Sequence, residues 1–306
     1  MAAFAGVRDS FARAQSALRE LCGWDLDDEC IRKLTHITAR KATVSRDTRE
    51  DVERFVDAPG HVEVPLDAGK VNADTGWRDV KIAVFCKRKA GEPATVDEWD
   101  KRELPTPSVR TVVSAIEESA SFAVRVRAEA DRLGLTAVPD ITVLADGAEW
   151  IGNLAADVFP QATGVLDAFH AIEHVADAVK AVWGVGTDDA LKRINDDRHT
   201  LLIGGKVGIE RWIADVMKEL PAGVRGDPLI DLAAYLASHP THMGYAARLR
   251  LGRSIGSGQV EGAVKQLVNR RLKQTGAKWK VAHVGPLVEL AALVDTPEWA
   301  NLWTAA

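Results

Sequence analysis

The chain has 306 residues, of which 46% are hydrophobic and 27% charged, the composition of a soluble globular protein with one large or two ordinary domains. No apolar run approaches the roughly 20 residues needed to cross a bilayer, and the N-terminus carries charge too early for a signal peptide, so we expect neither a membrane nor a secreted protein. Cys22, Cys30 and Cys86 form no CxxC pair. This argues against a disulfide framework and a cysteine zinc site, and it favours the cytoplasm.

Residues 1–58 are predicted to form a helical N-terminal segment. Apolar residues recur at helical spacing from Phe11 to Leu21 and, beyond Gly23, from Leu26 to Ile37. The second stretch is rich in arginine and lysine. It is compatible with a DNA-binding helix-turn-helix, shortened here, and equally with a small helical packing module.

Residues 59–185 have the pattern of an α/β core. HVEVPLDAGKV and WRDVKIAVFCK, joined by the turn ADTG, predict a hairpin, and VRTVVSA predicts a third strand. A helix is expected from Ile116 to Leu133. ITVLAD and TGVLD are typical of buried parallel strands, and each precedes an amphipathic helix. We therefore expect a mixed sheet with helices on its faces, in the strand and helix order of a ribonuclease H-like fold.

Residues 186–240 predict an all-helical insertion, and residues 241–306 return to the core. A GSG turn at 256–258 opens the helix QVEGAVKQLVNRRLK, and VGPLVELAALV is expected to be the last helix, ending near Thr296. The net charge of −5 is unevenly distributed: residues 241–280 contain nine basic residues and one acid, Glu261, a charge of +8 that leaves −13 for the rest. Such a stretch favours a polyanion as partner, although a solvated helical face has the same pattern.

Three acidic residues occupy positions where catalytic or metal-binding side chains are expected. Asp146 ends the strand ITVLAD, and strand carboxyl ends face the ligand crevice in α/β sheets, although an Asp-Gly pair also caps helices. Asp67 interrupts a strand, where it lies on a polar face or binds a metal ion. Glu261 lies in the first turn of a helix, where the helix dipole alone favours an acid. Together, two strand aspartates and a glutamate on a basic helix are typical of a site for two Mg²⁺ or Mn²⁺ ions in phosphodiester chemistry.

Three segments carry a resemblance to a known family: WRDVKIAVF, ITVLADGAEWIGNLAADVFPQATGVLDAFHAIEH and RSIGSGQVEGAVKQLVNRRLKQTGAKW. From His61 to Trp303 the chain resembles the ISKra-type insertion-sequence transposases, which are related to the Mutator-like group. The resemblance implies a ribonuclease H-like DDE transposase whose catalytic, metal-binding acids are Asp67, Asp146 and Glu261. It also implies a bacterial, nucleoid-associated protein that binds double-stranded DNA, cuts the element ends, transfers strands and works as a homo-oligomer on DNA.

The Mutator-like group also carries a Cys/Asp-x-x-His motif, which Asp167 and His170 match. His174 follows on the same helical face, and this accessory motif is expected to have a structural or DNA-contacting role rather than to bind zinc. One departure concerns Asp67, which is followed by Ala68 rather than directly by glycine.

The basic stretch supplies the expected DNA contacts. Most of these side chains would hold backbone phosphates, and one aromatic ring would stack on an unpaired base or pack in the core. The set is Arg253, Lys265, Arg270, Arg271, Lys273, Lys278 and Trp150. Two alternatives remain open: a catalytically silent DNA-binding remnant of such a transposase, and a ribonuclease H-like nuclease that cuts DNA without joining strands.

Overall fold

The computed structural model describes residues 1–44, 46, 49–218, 220, 223 and 225–304. Four helices open the chain: α1 (Ala2–Arg8), α2 (Phe11–Cys22), α3 (Asp28–Val44) and α4 (Arg49–Asp57). Ser10 caps α2 by accepting a hydrogen bond from the Arg13 amide at 3.3 Å. Gly23 ends α2 in the left-handed conformation, with φ of 67°.

A five-stranded mixed sheet follows these helices. Its strands are β1 (His61–Ala73), β2 (Gly76–Arg88), β3 (Val109–Ala115), β4 (Ile141–Ala145) and β5 (Thr163–Leu166). The strand order is β3-β2-β1-β4-β5; β2 is antiparallel to both β1 and β3, whereas β4 is parallel to both β1 and β5. Pro65 pairs with Leu144, so the carboxyl ends of β4 and β5 lie beside the middle of the long strand β1.

Further helices lie between and after the strands. They are α5 (Ser119–Arg132), α6 (Glu149–Val158), α7 (Ala168–Trp183), α8 (Asp188–Lys218), α9 (Asp227–Ala237), α10 (Tyr245–Arg250), α11 (Gly258–Ala263), a π-helical segment (Val264–Asn269), α12 (Arg270–Leu272), α13 (Val281–Leu293) and α14 (Glu298–Thr304), with 3₁₀ turns at Val96–Glu98 and Leu135–Ala137. No helix of the described residues is long and apolar enough to cross a membrane.

Strand alternation divides the core between the two faces of the sheet. On β2, Ile82 and Val84 face a cluster built with α11, the π-helical segment and α13, whereas Ala83 and Phe85 face a cluster built with α5 and α6. On β1, Gly69 faces the π-helical segment so closely that a Cβ would lie 3.1 Å from Val264 and Val268. The odd-numbered positions of β1 around it, including position 67, therefore face the helix that carries Glu261.

The N-terminal helices pack into the core. Val7 of α1 and Ala39 and Ala42 of α3 share a buried cluster with residues of β2 and α13. α1 and α3 thereby cover apolar surface that α13 would otherwise expose. Whether residues 1–58 also bind DNA stays a prediction.

The mixed α/β sheet with flanking helices is confirmed, and the strands and helices come in the predicted order. The predicted helix VGPLVELAALV is present as α13, but it ends at Leu293 and is not the last, since a further helix, α14, follows. Trp299 and Leu302 of α14 join the α13 cluster, which gives this short helix its apolar contact.

Candidate functional site

Asp167 is the most buried acid at the carboxyl edge of the sheet, with no exposed surface. It directly follows β5 and caps α7, where its Oδ1 accepts hydrogen bonds from the amides of Phe169 at 2.7 Å and His170 at 3.1 Å. Its Oδ2 accepts from both the amide and the hydroxyl of Ser257, each at 2.5 Å. Asp167 thereby joins the end of β5 to the start of the helix that bears Glu261.

The charge state of Asp167 follows from these contacts. Burial alone would raise the pKa of its carboxyl, but His170 and the two hydrogen bonds from Ser257 outweigh burial and lower the pKa to about 2. Asp167 is therefore ionised at neutral pH although it is buried.

His170 stands one helical turn beyond Asp167 and is half-buried. Its Nδ1 lies 3.8 Å from Asp167 Oδ1, longer than a hydrogen bond but within reach of a strong charge interaction. The Asp167 carboxylate raises the pKa of His170 to about 9, with burial acting in the opposite direction. Without a metal ion, a protonated His170 therefore partly neutralises the acids around it at pH 7.

Glu261 lies in the first turn of α11, and its side chain reaches back to the same serine. Ser257 Oγ is 3.0 Å from Glu261 Oε1 and 2.5 Å from Asp167 Oδ2, so its single hydrogen can serve only one carboxylate at a time. Burial raises the pKa of Glu261, and the nearby Asp167 charge adds to the effect. A ligand that brings positive charge here would favour the ionised form of Glu261.

The GSG turn needs its first glycine to hold Ser257 in place. A Cβ on Gly256 would lie 2.8 Å from the Phe169 ring and 3.5 Å from Asp167 Oδ2. The Ala168 amide also donates to Ile255 O at 2.9 Å. These close approaches fix the start of α11 against the start of α7.

Asp67 and Asp146 complete the acidic group. Asp146 follows β4, and its Oδ1 accepts from the Ala148 amide at 2.9 Å, while the Tyr235 hydroxyl donates to its carbonyl oxygen at 2.8 Å. Asp67, in the middle of β1, accepts from the Ala68 amide at 2.6 Å. Burial raises the pKa of Asp67, and the charges of Asp146 and then Asp167 raise it further. Asp67 is therefore close enough to both of these acids for their charges to affect its pKa.

The three residues that lie close enough together to hold a metal ion differ from the expected triad. Ligand atoms of Asp167, His170 and Glu261 all lie within 4.8 Å of one another, close enough to hold a metal ion. The sequence placed Asp67 and Asp146 with Glu261 and gave Asp167 and His170 only an accessory role. The structure brings all five to one edge of the sheet, with the accessory pair nearest to Glu261. We call these five residues the carboxylate cluster.

His174 lies on the exposed side of α7, outside this group. Its ring packs against Tyr235, with ring centroids 4.2 Å apart. The Tyr235 hydroxyl contacts Asp146, so Tyr235 links His174 to the cluster.

A pocket of about 320 Å³ opens beside Glu261. Its lining includes Trp99, Arg102 and Gln259. Arg102 Nη2 donates to the carbonyl of Arg253 at 2.7 Å, whereas its Nη1 is buried and has no hydrogen-bond partner within the described ranges. Arg102 lines the same pocket as Glu261, and sequence reasoning missed it because it lies in a polar loop without regular periodicity.

Ser257 and Tyr235 were also missed. Both act through contacts between distant segments: Ser257 with Asp167, and Tyr235 of the helical insertion with Asp146. The GSG turn was a signal for a close approach, but nothing local identified its partner.

The expected DNA-contacting residues divide into three kinds. The exposed ones, which stay candidates for phosphate contact, are Lys265, Arg270, Lys273 and Lys278. Arg253 forms a two-point ion pair with Asp140 at 2.7 and 2.5 Å, and Trp150 is half-buried against Phe122. Arg271 is only 3% exposed and packs between Phe11 and Trp279, and its expected phosphate contact stays a prediction.

No family model matches this chain, and no curated protein is significantly similar to it.

Proposed function

We propose that this protein is a DNA transposase with a ribonuclease H-like core, similar to the ISKra-type enzymes, that cuts and joins DNA with Mg²⁺ or Mn²⁺. One observation carries the proposal: acids from the middle of β1, from the ends of β4 and β5 and from the start of α11 converge at one edge of a β3-β2-β1-β4-β5 sheet. Asp167 is fully buried, and Asp67 and Asp146 are half-buried. Several acids placed together in this way are unfavourable unless positive charge compensates them.

The donor set fits a hard divalent cation. Asp67, Asp146, Asp167 and Glu261 offer carboxylate oxygens, the ligands that Mg²⁺ and Mn²⁺ prefer. Bound ions would supply the electrostatic stabilisation and activated oxygen nucleophile that phosphodiester cleavage and strand transfer require. His170 can ligate only when neutral, so its raised pKa makes proton and metal compete at this position.

The protein's own residues would orient these acids. Ser257 and the α7 amides fix Asp167, and the Tyr235 hydroxyl fixes the backbone of Asp146. Arg102 beside Glu261 and the exposed basic residues of 265–278 further along the chain would hold DNA phosphates, which gives affinity with little sequence choice.

The test is metal-dependent cleavage of a DNA duplex that carries the sequences flanking this coding region. Wild type is compared with Glu261→Gln and Asp146→Asn, and with Glu149→Gln as a control, since Glu149 is an exposed acid in the first turn of α6. We expect cleavage with Mg²⁺ or Mn²⁺ by wild type and the control, and a loss of at least about 100-fold in the two cluster variants.

A second arm uses a duplex with a pre-exposed 3′-hydroxyl. Joining to target DNA supports the transposase, and cleavage without joining supports a nuclease. DNA binding without either reaction supports the catalytically silent remnant. Equal cleavage by wild type and Glu261→Gln would remove the carboxylate cluster from the mechanism.

A further inference from the structure

A second pocket, of about 420 Å³, lies between the N-terminal helices and the segment that joins α12 to α13. The N-terminal side contributes Phe11, Arg32 and His36, and the C-terminal side contributes a set that includes Arg271, Lys278, Trp279, Lys280 and His283. We call it the basic pocket. None of its lining residues belongs to the carboxylate cluster.

Arg271 forms an unusual wall of this pocket. Its guanidinium carbon lies 4.7 Å from the Phe11 ring centroid and 4.8 Å from that of Trp279, and its Nε donates to Gly6 O at 3.0 Å. Its Nη2 is buried and has no hydrogen-bond partner among the residues that the structure describes. Burial lowers the pKa of Arg271 to about 10, but the side chain is still a cation at pH 7. A buried cationic donor without an acceptor is costly unless a ligand supplies one.

The charges around the pocket are unbalanced. Its lining contains four residues that are cationic at pH 7, namely Arg32, Arg271, Lys278 and Lys280, and no acid. Arg32 is paired with Glu29 on its own helix. Both lysines are exposed and form no ion pair with a described acid.

Two acids stand just outside the lining. Asp9 accepts a hydrogen bond from Gln274 at 3.4 Å and acts on Arg271. Asp74 raises the pKa of His283, whereas Lys280, Arg32 and Arg40 lower it. Together with Glu29, three acids stand against the five cations Arg32, Arg40, Arg271, Lys278 and Lys280, so the pocket keeps an excess of positive charge.

The pKa values of two histidines reflect this excess of positive charge. The rings of His36 and His283 pack against each other, with centroids 4.1 Å apart and their planes tilted by 34°. Burial, and after it the nearby groups His283, Arg32, Arg271 and Arg40, lower the pKa of His36 to about 4. Burial and then Lys280, Arg32 and Arg40 also lower the pKa of His283. An anion in the pocket would oppose the effect of these cations.

The pocket is built on rigid backbone. Trp279 N donates to Asn72 O at 3.0 Å, and Asp74 N donates to Trp279 O at 2.7 Å, which ties the segment to the tip of the β1–β2 hairpin. The indole Nε1 donates to Leu272 O at 3.0 Å. The backbone that carries Lys278 and Lys280 is therefore held in place, which favours a preformed binding site.

We propose that the basic pocket binds a phosphate group of the DNA backbone, at a position separate from the carboxylate cluster. Its volume suits one phosphate with part of its sugar rather than a whole duplex. The choice of DNA rests on the proposed function, whereas the choice of a phosphate-type anion rests on the unpaired Arg271 and the two lysines.

The strand β1 gives the spacing between the two sites. Asp67 belongs to the cluster, and Ala73, six residues further along β1, forms a bridge to Trp279 in the pocket. At ~3.3 Å per strand residue the separation is roughly 20 Å. One DNA strand rises ~3.4 Å per nucleotide, so the contacted phosphate would lie roughly six nucleotides from the one at the cluster.

The test compares Lys278→Ala/Lys280→Ala with a matched charge control, Lys192→Ala/Lys218→Ala, in which both lysines are exposed on α8. Affinity for a 30-base-pair duplex is measured by fluorescence anisotropy between 50 and 200 mM salt, in EDTA so that the carboxylate cluster holds no metal. Losing two phosphate contacts should lower the salt slope by about 1.8, so the wild type should lose about tenfold more affinity than the variant over this range. The control should keep more of the wild-type slope than the variant.

A second measurement uses inorganic phosphate as the probe. Phosphate should raise the pKa of His36 and His283 in the wild type, followed by NMR of the imidazole resonances, and should have no such effect in Lys278→Ala/Lys280→Ala. An unchanged salt slope in this variant, an equal loss in both double variants, or histidines that ignore phosphate would each overturn the proposal. Because DNA binding is measured without metal, absence of cleavage would refute the proposed function and leave this test intact.

Discussion

Replacing Asp167 by asparagine should destabilise the metal-free protein by about 2–3 kcal/mol at pH 7. The asparagine carbonyl can still accept from the Phe169 and His170 amides, but its amide group takes the place of Oδ2, which accepts both hydrogen bonds from Ser257. The amide can donate to the Ser257 hydroxyl, whereas the buried Ser257 N–H then faces another donor. An unsatisfied buried N–H costs about 1–3 kcal/mol.

The pKa of Asp167 gives a second estimate of the same interactions. A fall from the ordinary 3.8 to about 2 corresponds to about 2 kcal/mol of stability at neutral pH. Because this pKa is depressed, the contribution is present above about pH 4 and is lost as the pH falls through about 2. The part that depends on charged His170, whose pKa is raised to about 9, is lost as the pH rises through that value. The cost of the unsatisfied Ser257 N–H and the free energy from the pKa shift describe the same contacts, so the total stays at about 2–3 kcal/mol.

The assay is urea unfolding in EDTA at pH 5, 7 and 10. The variant should lose about 2–3 kcal/mol at pH 5 and 7, roughly a 5 °C lower Tm, and less at pH 10. Asp146→Asn is the matched control: Asp146 also follows a strand and precedes a helix, but it is half-buried and accepts one amide hydrogen bond. If Asp167→Asn unfolds at the same urea concentration as wild type or as Asp146→Asn, Asp167 does not join α7 to α11 as described.

The remaining predictions concern the neighbours of this joint. Asp67→Asn should raise the Tm in EDTA, because the pKa of Asp67 is raised in the folded protein and its ionised form therefore opposes folding. The same variant should abolish stabilisation by Mg²⁺. A lower Tm in EDTA would contradict this reasoning. Tyr235→Phe removes the hydroxyl that donates to Asp146 O, so it should slow metal-dependent cleavage more than it lowers the Tm, as measured by initial rates and thermal melts side by side. Gly147→Ala should destabilise by more than about 1 kcal/mol in urea unfolding, because φ is 91° and a Cβ would lie 2.8 Å from His239 Nε2; a wild-type unfolding midpoint would refute that reasoning.

The strands and helices of the core were predictable because their apolar patterns are local. ITVLAD and TGVLD are short buried runs, and both end in an acid that the parallel arrangement brings to the same edge. The position of Asp67 follows from pairing of β1 with β4, which periodicity alone does not determine. The five residues of the carboxylate cluster were therefore all candidates, but their grouping depended on tertiary contacts.

Arg271 shows where sequence reasoning fails. It stands next to Arg270 in a basic stretch, and charge alone gives both the same role. In the structure Arg270 is exposed, whereas Arg271 donates to Gly6 O across 265 residues of sequence. Whether a cation faces solvent or the core is decided by the helix face that it occupies, and a π-helical segment shifts that face without any clear sequence signal.

That π-helical segment, Val264–Asn269, stands between Glu261 and Arg271 on one continuous run of helix. A π turn contains one more residue than the α turn that it replaces, and one residue corresponds to ~100° of rotation in an α-helix. The segment therefore sets the helical phase between the carboxylate cluster and the basic pocket. A deletion of one residue here would leave Glu261 in place and turn Arg271 out of its slot between Phe11 and Trp279. This helix can accept substitutions, but insertion or deletion of a single residue would change the orientation of the basic pocket relative to the carboxylate cluster.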